Sequence, residues 1–171
     1  MILQGRRGDE RERQQNGLLR LQFHYSWLIQ VNTEREKILR LTREIHLAAG
    51  CLKSPAAPGD DSFWEELQEK TIEMRQRLGI LDFGASHRAY DSWFYQLEQY
   101  VDDLRRIIGE DYEFQKLYKL DGKAPVDSTR TKLKDAEARH QPIDILLDIE
   151  KAIRMEFFEF NKKFDDEMRG R

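Results

Sequence analysis

The stretch from Tyr90 to Ile108, YDSWFYQLEQYVDDLRRII, decides the fold class. Apolar residues recur in it at intervals of three and four, which places them on one face of an α-helix, and the charged residues fall largely elsewhere. The apolar face consists of Tyr90, Trp93, Phe94, Leu97, Val101, Leu104 and Ile108. The spacing therefore predicts a core helix and assigns most of these aromatic rings to packing, not to a reactive pocket.

A second apolar stripe runs through the C-terminal part of the chain. Pro142 suits a first helical turn, and apolar residues then recur at helical spacing at Leu146, Ile149, Ile153, Phe157, Phe160, Phe164 and Met168. We predict that this helix and the Tyr90–Ile108 helix form the core pair. Phe157 and Phe158 are about 100° apart on the helix. Either both rings are buried in a central helix, or Phe158 belongs to an interaction surface together with Phe157.

The N-terminal apolar stretch is ambiguous between strand and helix. Apolar and polar residues alternate from Leu19 to Trp27, as in a strand, but Leu19, Phe23, Trp27 and Val31 also recur at four-residue spacing. No second convincing strand exists to pair with it, so we interpret the stretch as helix. Thr33 and Glu36 match a capping box, which predicts a break near Asn32.

Loop signals divide the rest of the sequence. Residues 53–61 contain two prolines and a glycine, which predicts a loop. Ser62 and Glu65 form a capping box that begins the next helix. The predicted buried stripe of that helix is Phe63, Leu67, Met74 and Leu78. Residues 123–130 form a second predicted loop, and Gly109 is expected to interrupt the helix before it. These signals predict an all-α, single-domain bundle of five to seven helices over residues 17–171, preceded by a flexible charged tail over residues 1–16.

Charge and composition narrow the function classes. The chain has 171 residues and a net charge of -3, so it carries no overall basic field for nucleic acid. No run of about 18 apolar residues is present, which argues against a membrane span. The single cysteine, Cys51, excludes an intramolecular disulfide and fits a reducing compartment, so we expect a cytoplasmic protein.

One acidic motif suggests metal chemistry. Glu65, Glu66 and Glu69 form an E-E-x-x-E that resembles the magnesium-binding half-site of all-helical nucleotide pyrophosphohydrolases. The resemblance implies Mg²⁺ and nucleotide hydrolysis, but the downstream E-x-x-D is replaced by Glu98 followed by residues 102–103, one position too far or more. A solvated helix face is the favoured interpretation.

Three histidine patterns have both a chemical and a structural interpretation. Arg40 and His46 have the spacing found in helical endoribonucleases of toxin systems, which implies acid–base cleavage of RNA. The sequence LGILDFGASHRAY around His87 resembles the region of the haem-ligating histidine in globins. Glu137 and His140 resemble one quarter of a di-iron site. We favour surface or capping roles for all three, because each pattern is short and lacks its other ligands or catalytic residues.

The complete apolar stripes and incomplete catalytic patterns favour a non-catalytic helical interaction, regulatory or assembly module that binds a protein partner or forms a homodimer. We expect no cofactor. The alternative is a metal-dependent, all-α nucleotide hydrolase that uses Glu65, Glu66 and Glu69.

Overall fold

The chain is all-α in a computed structural model that describes residues 2–51, 62–81, 89–118 and 123–169. The helices in these ranges are α1 (Ile2–Cys51), α2 (Ser62–Ile80), α3 (Asp91–Tyr118), α4 (Lys123–His140) and α5 (Pro142–Met168). The described residues contain no strand. The helical interpretation of the Leu19–Trp27 stretch and the all-α fold class are therefore confirmed. No helix in these ranges is both long enough and apolar enough to cross a membrane.

The chain divides into two compact units. The terminal unit combines Met1–Thr33 with Glu150–Arg171, and the central unit is Glu34–Ile149. This division differs from the boundary expected at residue 17. The single-domain organisation stays a prediction, and each unit is described separately below.

The central unit contains the stripe that decides the fold. Within it, α3 packs most closely on α2 and α4. Its core includes Ile38, Leu41, Ile45, Trp64, Leu67, Met74, Leu78, Tyr90, Leu97, Tyr100, Val101, Leu104, Ile108, Leu133, Leu146 and Ile149, all buried. Within the predicted face, Tyr90, Leu97, Val101, Leu104 and Ile108 are buried, whereas Trp93 and Phe94 are half-buried. The expected central pair of α3 with α5 is wrong, because α3 has α2 and α4 as its main neighbours.

Several polar side chains in the central unit form hydrogen bonds with side chains of other helices. Buried Asp111 accepts hydrogen bonds from the Thr129 hydroxyl at 2.7 Å and the Lys132 ammonium at 2.6 Å. Arg77 donates to buried Glu34 at 2.9 Å. Burial opposes ionisation of Glu34, but the bonds from Arg77 and Lys37 outweigh it and lower the pKa of the carboxyl. These contacts satisfy polar groups that would otherwise be costly to bury.

In the terminal unit, α1 and α5 run antiparallel. The Tyr25 ring lies 5.5 Å from the Phe157 ring and 5.0 Å from the Phe160 ring, measured between centroids. His24 pairs with Glu156 at 2.8 Å. Earlier residues of α1 share a groove with later residues of α5: Gly17, Arg20 and Leu21 with Lys163, Asp166 and Glu167. The two helices therefore meet through one seam of aromatic and charged side chains.

The N-terminal segment of α1 extends past the end of α5. Gly17 lies beside Glu167, and α5 ends at Met168, so residues 2–16 project beyond it over about 22 Å. Every side chain from 7 to 16 is exposed. The sequence predicted a flexible tail over residues 1–16, and this is corrected, because regular helix begins at Ile2.

Three predicted interruptions are also corrected. The break near Asn32 is absent from α1, because the Thr33 hydroxyl donates back to the Ile29 carbonyl at 2.9 Å instead of capping a new helix. Gly109 lies inside α3, where a glycine costs only about 1 kcal/mol. The loop expected over 123–130 is helical from Lys123, since Pro125 falls in a first turn that needs no N–H there.

The α5 stripe is buried over only part of its length. Leu146, Ile149 and Ile153 are buried, whereas Phe164 and Met168 are exposed. The prediction that the whole stripe is core is therefore wrong at its C-terminal end. The reason is a lack of neighbours, because the terminal unit brings only α1 against this part of α5 in the described residues.

Candidate functional site

The two phenylalanines proposed as an interaction surface have different environments in the terminal unit. Phe157 is half-buried in the seam with Tyr25. Phe158, the next residue on α5, has 73% of its surface exposed. The 100° step between neighbouring helical residues turns one ring inward and the other outward.

Phe158 is part of a small apolar patch on the side of α5 turned away from α1. Met155, three residues earlier, lies on the same face and is 67% exposed. Lys151, Arg154 and Lys162 lie on the adjoining turns of this face, together with the acidic Glu159. Arg154 bonds Glu150 at 2.5 Å. We call Met155 and Phe158 with these three cations the α5 outer face.

A similar pair lies on α1. Leu19 and Phe23, four residues apart, are 50% and 76% exposed. The α1 side chains that meet α5 include His24, on a different side of the helix. The predicted stripe of Leu19, Phe23, Trp27 and Val31 is therefore split, with only Trp27 and Val31 buried. Each helix of the terminal unit thus carries one exposed apolar pair outside the seam.

The acidic cluster on α2 is exposed, and one of its three carboxylates is paired with a cation. Glu65, Glu66 and Glu69 point to solvent. Lys70 lies 3.3 Å from Glu66 and donates to Glu44 of α1 at 2.9 Å. The hydrogen bond to Glu44 is the main cause of the raised pKa of Lys70. In the described residues, no group of three His, Cys, Asp or Glu side chains is placed to hold a metal ion. The magnesium site stays a sequence prediction that this geometry does not favour.

The central unit contains a cleft around His46. The Nδ1 atom of His46 lies 2.5 Å from Oε2 of Glu137, a residue of α4. The cleft has a volume of about 430 Å³, and its other lining residues are Lys134, Ala138, Gln141, Pro142, Ile143 and Asp144. Gln141 joins α4 to α5 with a left-handed backbone (φ 48°), which turns the chain at the cleft. Sequence patterns predicted two unrelated roles for His46 and Glu137, and the fold brings the two residues into contact.

The other pattern residues have structural partners. Arg40 lies 3.7 Å from Glu44 and does not line the His46 cleft. The ribonuclease pairing of Arg40 with His46 is therefore not assembled. His140 Nε2 lies 2.8 Å from Asp103 of α3. This bond, helped by Arg106 and Arg139, lowers the pKa of Asp103. His140 thus ties α4 to α3 and does not complete a di-iron site with Glu137.

Two candidate residues cannot be placed. His87, the globin-like histidine, lies outside the described residues, as does the side chain of Cys51. Next to this region, Tyr90 is buried and its ring lies 5.6 Å from Trp93 and 5.9 Å from Phe94. These rings are thus packed together, as the apolar spacing predicts.

Comparison of the chain with protein families, characterised proteins and solved structures finds no match. The α5 outer face and the His46 cleft are the two candidate sites of the protein.

Proposed function

We propose that the protein is a non-catalytic helical interaction module whose α5 outer face binds an amphipathic helix of a partner protein. The observation that carries this proposal is the exposure of Phe158 and Met155 side by side on a helix whose opposite side is packed. Exposed apolar patches on folded proteins mark interaction sites more often than scattered single residues do.

The size of the patch favours a helical segment over a second copy of the chain. Two side chains supply roughly 300 Å² of apolar surface, whereas a stable dimer buries about 800 Å² on each side. A helix laid along α5 needs only anchors spaced at three and four residues. Lys151, Arg154 and Lys162 around the patch favour acidic residues at the edges of that helix.

The test is selection of amphipathic helical peptides from a display library, followed by titration of the best binder by fluorescence anisotropy. Phe158→Asp is expected to weaken binding at least about tenfold, as expected for loss of a central aromatic anchor. The matched control is Tyr95→Asp on α3, since Tyr95 is 62% exposed and aromatic but lies in the central unit. The control should bind like the parent.

Equal binding by both variants would contradict the proposal. Sedimentation equilibrium of the free protein tests whether a second copy of the chain, and not a partner helix, covers the patch. A concentration-dependent dimer that Phe158→Asp abolishes would show that a second copy covers the patch, and the helical-partner proposal would then be wrong.

A further inference from the structure

The three histidines in the described residues use different ring nitrogens to contact a carboxylate. His24 and His140 each use Nε2, at 2.8 Å from an acidic oxygen of another helix. His46 uses Nδ1, at 2.5 Å from Glu137. Among the three histidines in the described part of the chain, His46 therefore keeps its Nε2 atom away from a carboxylate.

This arrangement fixes the chemistry of the His46 ring. A carboxylate that accepts the Nδ1 proton selects the tautomer whose lone pair is on Nε2. The same carboxylate stabilises the positive charge that develops on the ring when Nε2 forms a bond. Histidine is one of the side chains that form covalent intermediates through such an activated nitrogen. The His46 side chain is 50% exposed, so a reactant can reach it.

The cleft that contains His46 also supplies a cation. Lys134 lies one helical turn before Glu137 on α4 and lines the same cleft. An ammonium group is a point charge suited to phosphoryl oxygens. The remaining charged lining residue is Asp144, in the first turn of α5. The volume of about 430 Å³ accommodates a small phosphorylated group.

We propose that His46 is a phosphoacceptor that takes a phosphoryl group on Nε2 from an N–P phosphoramidate donor. The Nε2 lone pair forms the new N–P bond while the N–P bond of the donor breaks, and the donor amine leaves with its electron pair. The ring keeps its Nδ1 proton and becomes cationic, and Glu137 balances that charge. Lys134 holds the phosphoryl oxygens. The site lies in the central unit and is independent of the proposed helix-binding face.

The test is incubation of the full-length protein with potassium phosphoramidate, with the rate of labelling at each histidine followed by peptide mass spectrometry. His46 is expected to gain one phosphoryl group at least about tenfold faster than His24 or His140, because their Nε2 atoms are held by carboxylates. In urea the preference should disappear, since it depends on the fold. Equal rates in the folded protein, or labelling of His87 without His46, would overturn the proposal.

Two variants separate the roles of the neighbours. Glu137→Gln should slow His46 labelling about tenfold or more, as expected when a supporting carboxylate is lost. Lys134→Ala should slow it while leaving His24 and His140 unchanged. Circular dichroism checks that each variant stays folded. If folded Glu137→Gln is labelled at the parent rate, the carboxylate does not activate the ring and the proposal is wrong.

Discussion

The Leu97–Leu104 face of α3 in the central unit and the Met155–Phe158 face of α5 in the terminal unit share the same helical spacing and have opposite exposure. The α3 face of Leu97, Val101 and Leu104 is buried, and buried Asp111 has partners on α4, whereas Phe114, Leu117 and Tyr118 near the end of α3 are exposed. In the terminal unit two helices share one seam, and Phe158 and Phe23 stay exposed. The difference teaches that periodicity fixes which side chains share a face, whereas the number of neighbouring helices fixes whether that face is buried.

The largest expected effect on stability is the difference between two variants that each place one aspartate in one of the units. Leu97→Asp puts a carboxylate into the buried face of α3 and is expected to cost more than about 4 kcal/mol, enough to abolish cooperative unfolding. Phe158→Asp should change the free energy of unfolding by less than about 0.5 kcal/mol, because the ring faces solvent. Urea unfolding followed by circular dichroism measures both.

The comparison fails if these two variants are equally stable. A large loss for Phe158→Asp would show that another part of the protein covers this ring. A parent-like melt for Leu97→Asp would mean that α3 does not form the core.

A smaller effect is expected at the polar contact between α3 and α4. Asp111→Ala removes the buried carboxylate that accepts from both Thr129 and Lys132, at an expected cost of about 2 to 3 kcal/mol. The control is Glu113→Ala, two residues along on the exposed side of the same helix. If both substitutions have the same effect on the urea midpoint, Asp111 does not tie the two helices.

The smallest effect is an acid-dependent loss of stability in the central unit. The pKa values of Glu34 and Asp103 are lowered from their ordinary values of 4.5 and 3.8. A lowered pKa gives stability that is fully present above the ordinary value and is lost as the pH falls through the lowered one. We expect the contribution of each group to be lost as the pH falls from about 5 through its lowered pKa.

Urea midpoints measured across this pH range check the expectation. Glu34→Gln and Asp103→Asn should each reduce the loss of stability at low pH while lowering the stability at neutral pH. If the urea midpoint of both variants depends on pH as it does in the parent, other carboxylates cause the acid sensitivity.

The helices were predictable because their signals are local. The stripe of α3 and the start of α5 at Pro142 follow from spacing and from the geometry of proline. Local signals alone wrongly predict helix breaks at Asn32 and Gly109. A cap residue or a glycine changes helix stability by only about 1 kcal/mol. The buried residues on both sides of each position outweigh that amount.

The candidate sites depend on contacts that the sequence does not encode locally. His46 and Glu137 meet although 91 positions separate them. Either residue alone fits several patterns, so only the packing of α4 against α1 identifies the pair. The exposure of Phe158 was equally ambiguous, because it depends on the absence of a third helix beside α5 among the described residues.

The projecting segment of α1 has a practical consequence for experiments. The side chains of residues 7–16 are exposed, so a reporter attached at Ile2 is held about 22 Å away from the end of α5 by a rod of regular helix. Such a rod sets a minimum distance for energy transfer between that reporter and a dye near Met168. A measured distance much shorter than this rod would reveal that the rod bends or frays in solution.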